Sequence, residues 1–106
     1  MSQFDYDYSK VSDILHIQKA GKKTKGSVEL GDFTLDFGTK DELVGVEIEH
    51  ASEFFINLDI EKDSLQSLQH AEFVIDNRNP QSQLIILKLQ MKDIERKIPV
   101  PLPVVS

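Results

Sequence analysis

Gly31-Asp32-Phe33-Thr34-Leu35-Asp36-Phe37 and, a short polar turn later, Leu43-Val44-Gly45-Val46-Glu47-Ile48-Glu49 alternate apolar and polar side chains along their length. A period of two is that of a strand with one dry and one wet face. Joined through residues 38–42, the two segments read as a β-hairpin. Its dry face carries Phe33, Leu35, Phe37, Val44, Val46 and Ile48, and its wet face Asp32, Thr34, Asp36, Glu47 and Glu49.

The same pattern extends on both sides. Phe4-Asp5-Tyr6-Asp7-Tyr8 alternates aromatics with aspartates, and Asp13-Ile14-Leu15-His16-Ile17-Gln18 follows after a polar turn. A loop bracketed by Gly21 and Gly26 leads into the short strand Ser27-Val28-Glu29-Leu30, interrupted at Gly31 by a tight turn or a bulge. Local connections throughout predict an antiparallel meander for residues 1–55. Ser52 is placed to cap one helical turn that lays Phe54 or Phe55 across the dry face; Phe54, Ile56, Leu58 and Ile60 also alternate, so an extended reading stays open beside the favoured helix. Residues 59–70 start with acids, contain Leu65 and Leu68 and lack glycine and proline, so a second short helix is expected there. Strands at 71–76 and 83–92 then form a second hairpin. In residues 98–105 the prolines at 99, 101 and 103 remove N–H groups from one side of an extended chain. The other side stays able to pair, which predicts a proline-rich edge strand; the runner-up is a polyproline II arm that packs Val100, Leu102 and Val104 on its own domain or on a partner. The fold class is α+β: a single domain over 1–106, with a family-like part at 1–55 and a helix plus C-terminal hairpin at 56–106.

At 106 residues one core without staples is feasible. No cysteine is present, which excludes disulfides, thiolate metal sites and cysteine nucleophiles. A net charge of −6 repels a phosphate backbone, so nucleic acid is not an expected partner. The acidity is concentrated in residues 1–53, with 11 acids and 6 bases against 7 and 6 in the remainder. No segment has the apolar run of a membrane span, no membrane partner is expected, and a cytoplasmic location is the default.

Tyr8-Ser9-Lys10-Val11-Ser12-Asp13-Ile14-Leu15-His16-Ile17, then residues 31–37, then Leu43-Val44-Gly45-Val46-Glu47-Ile48-Glu49-His50-Ala51-Ser52 resemble the small family named domain of unknown function 2283. Ser9, Ser12 and His16 depart from its usual residues. The resemblance covers residues 4–55 and implies a compact antiparallel sheet with a helix after Ala51-Ser52. It carries no catalytic residues over to this chain. It also implies, as an alternative, an antitoxin-like partner of a toxin-like protein.

The carboxylates Asp36 and Glu47, with Asp32 and Glu49 nearby, are the metal candidates, because oxygen-only clusters suit divalent cations. The ordinary reading of such residues is the solvated face of a sheet. No cofactor or metal is therefore expected. His16, His50 and His70 lack metal-ligand spacing, and Lys22, Lys23 and Lys25 lack the order of a phosphate loop, so they read as a solvated hairpin tip. Tyr6 and Tyr8 read as sheet aromatics that could also serve an interface. Serines occur without a nucleophile elbow. The expected function is noncatalytic: protein interaction or self-assembly, as a homodimer or with a protein partner, with Val100, Leu102 and Val104 as interface candidates. The competing expectations are a divalent-cation-dependent hydrolase using the acidic sheet face and the antitoxin-like partner.

Overall fold

The computed structural model describes residues 3–76, 78 and 83–101. Five strands, β1 (Phe4–Ser9), β2 (Ile14–Lys19), β3 (Gly26–Leu30), β4 (Phe33–Phe37) and β5 (Leu43–Ile48), form one antiparallel sheet in the order β1-β2-β5-β4-β3. The expected meander is thus corrected at one junction: β2 pairs with β5, because the chain crosses from β2 to the far edge as β3 and returns through β4 to β5. Burial accounts for the exchange. β5 is buried at every position except Glu47, whereas β3 is exposed from Gly26 to Glu29. The most apolar strand fills the middle of the sheet, and the poorest takes its edge.

The β4–β5 hairpin forms with Phe33 opposite Ile48 and Leu35 opposite Val46. Between Asp36–Gly45 and Phe37–Leu43 the register shifts by a bulge. One extra residue reverses the side-chain alternation beyond it. Leu43 consequently joins the core while Val44, placed on the dry face by periodicity, is buried outside that cluster. Gly38 makes room for it, since a Cβ there would lie 3.1 Å from Val44 Cγ1.

Helix α1 (Ala51–Ile56) follows β5 and buries Ala51 and Phe55, while Phe54 stands edge-on to Phe33 at 5.3 Å. Helix α2 is confined to Lys62–Gln66 and buries Leu65. It is shorter than the 59–70 expectation because Asp59 adopts a left-handed φ of 61° ahead of it and His70 already belongs to a strand. The second sheet, β6 (His70–Asp76), β7 (Leu84–Gln90) and β8 (Glu95–Pro101), is antiparallel in that order. The C-terminal strand expected over 98–105 begins earlier, at Glu95; Leu102, Pro103, Val104 and Val105 lie outside the described residues.

A single apolar cluster joins the halves. Leu15, Ile17, Val46 and Ile48 from the first sheet meet Phe55, Ile60 and Leu65 from the connecting segment and Phe73, Ile85, Leu87, Leu89 and Ile98 from the second. At the shared border Phe4 and Phe73 meet edge-to-face at 5.1 Å, and the Tyr6 hydroxyl donates to the carbonyl of Gln69. None of the described buried residues is polar or charged.

Candidate functional site

Among the described residues the densest polar constellation centres on Asp13, in the turn between β1 and β2. Its left-handed backbone (φ 57°) is one that aspartate tolerates better than most residues. The turn is closed by the Asp13 N–H donating to the Ser9 carbonyl at 2.7 Å. Asp13 Oδ1 accepts from the Tyr8 hydroxyl at 2.6 Å and from the Ser52 N–H at 3.0 Å, and Oδ2 accepts from Ser52 Oγ at 2.6 Å. The Asp13 carbonyl takes the Ala51 N–H at 2.9 Å. The opening N–H groups of a helix have no partner within the helix. Here both are satisfied by a residue 39 positions away from Ser52, because His50, which precedes the helix, is itself left-handed and makes no side-chain cap. Ser52, expected as the cap, instead sits inside the helix as a donor.

Burial alone would raise the Asp13 carboxyl, but the bonds from Ser52 and Tyr8, with Lys62 nearby, outweigh it and hold the group below the ordinary carboxylate range. The Tyr8 phenol is pushed well above its ordinary value by burial first and then by the adjacent carboxylate. An acceptor that is charged at neutrality and bound by three donors, one of them a phenol that stays protonated, has no proton to exchange there. Its chemistry is that of a tie between β1, β2 and α1.

At the β4–β5 end, Asp32, Glu49 and His50 bring one ligand atom each within 4.8 Å of one another, all three exposed. The Glu49 N–H donates to the Asp32 carbonyl at 2.8 Å, and His50 Nδ1 lies 3.2 Å from Asp32 Oδ1. That contact raises the His50 pKa, first through the hydrogen bond and then through charge. Asp36 and Glu47 are not part of this group. Asp36 faces Gly45 across the ladder, accepts from Ser27 Oγ at 2.6 Å and has His16 Nε2 at 3.8 Å. Glu47 faces Thr34 on one side and His16 on the other. Periodicity marked the acidic face but not this trio. The signal lay in register: Asp32 follows the turn glycine, and pairing Phe33 with Ile48 sets residue 32 beside residue 49.

The other singled-out residues are dispersed. His70 pairs with Glu72 at 3.4 Å, and its ring meets Tyr6 edge-on at 6.0 Å. Lys22, Lys23 and Lys25 are exposed between β2 and β3. Val100 is half-buried against the core of its own chain, whereas Leu102 and Val104 lie outside the described residues. A recess of about 60 Å³ lies on the polar end of the second sheet, between Glu72, Lys88, Glu95 and Lys97, and a more open one of about 320 Å³ is lined by Gln3, Phe4, Lys19, Ala20 and Lys22. No helix among the described residues is long and apolar enough to cross a membrane.

Two antiparallel sheets around one core, tied at a Tyr–Asp–Ser corner, define a small α+β protein. The family model described as protein of unknown function (DUF2283) matches residues 5–52, the segment that holds Tyr8, Asp13, Ala51 and Ser52. Uncharacterized protein MJ0789 of Methanocaldococcus jannaschii is 35% identical over 95 residues, covering 90% of this chain and 76% of that protein. The chain belongs to the DUF2283 family. The likeness to the archaeal protein covers 90% of this chain and so extends beyond residue 52 into the sequence of the second sheet. No solved structure matches the chain.

Proposed function

We propose that this protein is a noncatalytic interaction module that works by assembling, with itself or with another protein, through its sheets. The observation that carries this reading is the bare end of the first sheet. β3 is exposed from Gly26 to Glu29, and Val28, on the dry side of the sheet opposite Leu35, keeps 46% of its surface in solvent. Apolar surface next to an unpaired strand is a template for another chain. The second sheet adds a further apolar surface, with Val74, Ile86 and Pro99 in one row of its outer face. At the far edge of β8, Pro99 and Pro101 lack N–H groups and so offer little to an added strand.

Sedimentation velocity over a concentration series tests the reading: association that grows with concentration, or a stoichiometric protein partner on purification from the source cells, is the expected result. A strict monomer that also purifies alone contradicts it. The competing hydrolase requires a cation on the acidic surface. Because binding to the folded state raises its melting temperature, the expected result of adding millimolar Mg²⁺, Mn²⁺ or Ca²⁺ is no shift; a clear shift that Asp32→Asn or Asp36→Asn abolishes would favour the hydrolase instead.

A further inference from the structure

We propose that the outer edge of β3 is the mating edge for a second copy of this chain. Two Gly26–Leu30 strands pair antiparallel about a two-fold axis at Val28, and two five-stranded sheets become one. The inference rests on the assembly reading above and adds the surface, the occupant and the register.

The sheet edges are unequal. β1 is an edge by hydrogen bonding, but β6 and the residue before it close over it through Phe4–Phe73, Tyr6–His70 and the Tyr6 hydroxyl bond to Gln69. The same contacts occupy β6. β8 carries Pro99 and Pro101. Among the described residues β3 is left as an edge with neither cover nor proline.

The turn after β3 determines which of its groups are free. Leu30 pairs with Phe33 across Gly31-Asp32, and φ is positive at Gly31 (61°) but not at Asp32, the pattern of a type II′ two-residue hairpin. In that hairpin the flanking pair exchanges hydrogen bonds, and alternation follows from it. Leu30, Val28 and Gly26 therefore bond to β4, and Ser27 and Glu29 present their N–H and C=O groups outward. Centring the two-fold axis on Val28 sets Ser27 of each copy against Glu29 of the other as hydrogen-bonded pairs. Val28 then faces its own counterpart at the closely spaced, non-hydrogen-bonded position, with both side chains on the dry face.

Charge agrees with this direction. The segment entering β3 is basic (Lys22, Lys23, Lys25), and the one leaving it is acidic (Glu29, Asp32). An antiparallel copy runs each lysine segment beside Glu29 and Asp32 of its mate, at both ends of the interface. A parallel arrangement would set lysines against lysines. The basic loop thereby gains a role that no phosphate-binding order supports, and two-fold closure leaves no open edge to propagate.

Because the chain lacks cysteine, Val28→Cys gives a clean test. Mild oxidation is expected to convert most of this variant to a covalent dimer, while Val11→Cys, at a fully exposed position in the β1–β2 turn, stays largely monomeric. Glu29→Pro removes one outward N–H and leaves the β4 ladder intact, so it is expected to weaken association at least tenfold in sedimentation with an unchanged circular dichroism spectrum. Lys25→Glu is expected to weaken the dimer, and Lys25→Glu with Glu29→Lys to restore it. Should the wild type dimerise while Val28→Cys fails to cross-link and Glu29→Pro still dimerises, this interface is wrong and the assembly reading stands on another surface. A wild type that is monomeric up to about 100 µM, where interfaces of modest size associate, overturns the interface outright; the assembly reading then survives only if a protein partner co-purifies.

Discussion

The two ends of the five-stranded sheet are built to opposite specifications. At the β1 end, aromatic contacts and the Asp13 bonds stitch strand to strand, sheet to sheet and turn to helix. At the β3 end the strand pairs with its neighbour β4 and its residues from Gly26 to Glu29 stand in water, with Leu30 alone packed against the core. Stability is concentrated at the first end, and surface available for recognition is left at the second. The proposed interaction module would use that division, with a tied frame on one side and an unfinished sheet on the other.

The sharpest break in the comparison comes from truncating the shared core. Phe55→Ala or Phe73→Ala removes a fully buried ring and is expected to cost about 3–5 kcal/mol, read as a fall in the denaturation midpoint. Val28→Ala, at the bare end, is expected to leave that midpoint within experimental scatter. Next in size is the tie. Asp13→Ala strips the Tyr8 and Ser52 donors of a charged acceptor, and a loss of about 2–3 kcal/mol is expected in urea unfolding. Tyr8→Phe, which removes one of those donors, is expected to cost about 1 kcal/mol and to delete a late-ionising phenol from the alkaline absorbance titration.

Proton linkage separates the ends again. The Asp13 carboxyl has a lower pKa folded than unfolded, so its contribution is complete above about pH 4 and disappears as pH falls through the folded value. Asp13→Asn is expected to flatten that acid limb of the stability profile. His50 behaves in the opposite sense. Its pKa is raised by Asp32, so the pairing is fully present below about pH 6.5 and is lost as pH rises through the higher folded value. This is the smallest effect, because both groups are exposed. An NMR titration of the His50 ring is expected to show a midpoint above the ordinary histidine value that Asp32→Asn brings down.

Alternation of side chains made most strands legible, since it reports directly on which face is dry. Register was harder. The bulge at Leu43–Val44 swaps the faces of two apolar residues, and nothing in a run of Leu, Val, Gly and Val distinguishes one from the other. The adjacency of β2 and β5 was hidden for a related reason: local order favours neighbours in sequence, whereas burial places the most apolar strand centrally. The helix expected over 59–70 contracts because Ile60 is drawn fully into the core ahead of the helix and Asp59 turns left-handed. The Asp13 tie was out of reach of any periodicity, for it joins residues 39 apart through a side chain. Residues of the candidate interface were visible as a short strand after a basic loop, but their exposure depends on β3 lying at the end of the strand order, which only the topology reveals.

The central proposal is that an unfinished strand edge is the working surface of this molecule. Amide hydrogen exchange of uniformly labelled wild-type protein, compared at dilute and concentrated conditions, tests it residue by residue. Protection that rises with concentration at Ser27 and Glu29, with Gly26, Val28 and Leu30 unchanged, is the predicted result. Exchange at Ser27 and Glu29 that is indifferent to concentration, while protection grows instead around Val74 and Ile86 or nowhere at all, would contradict it.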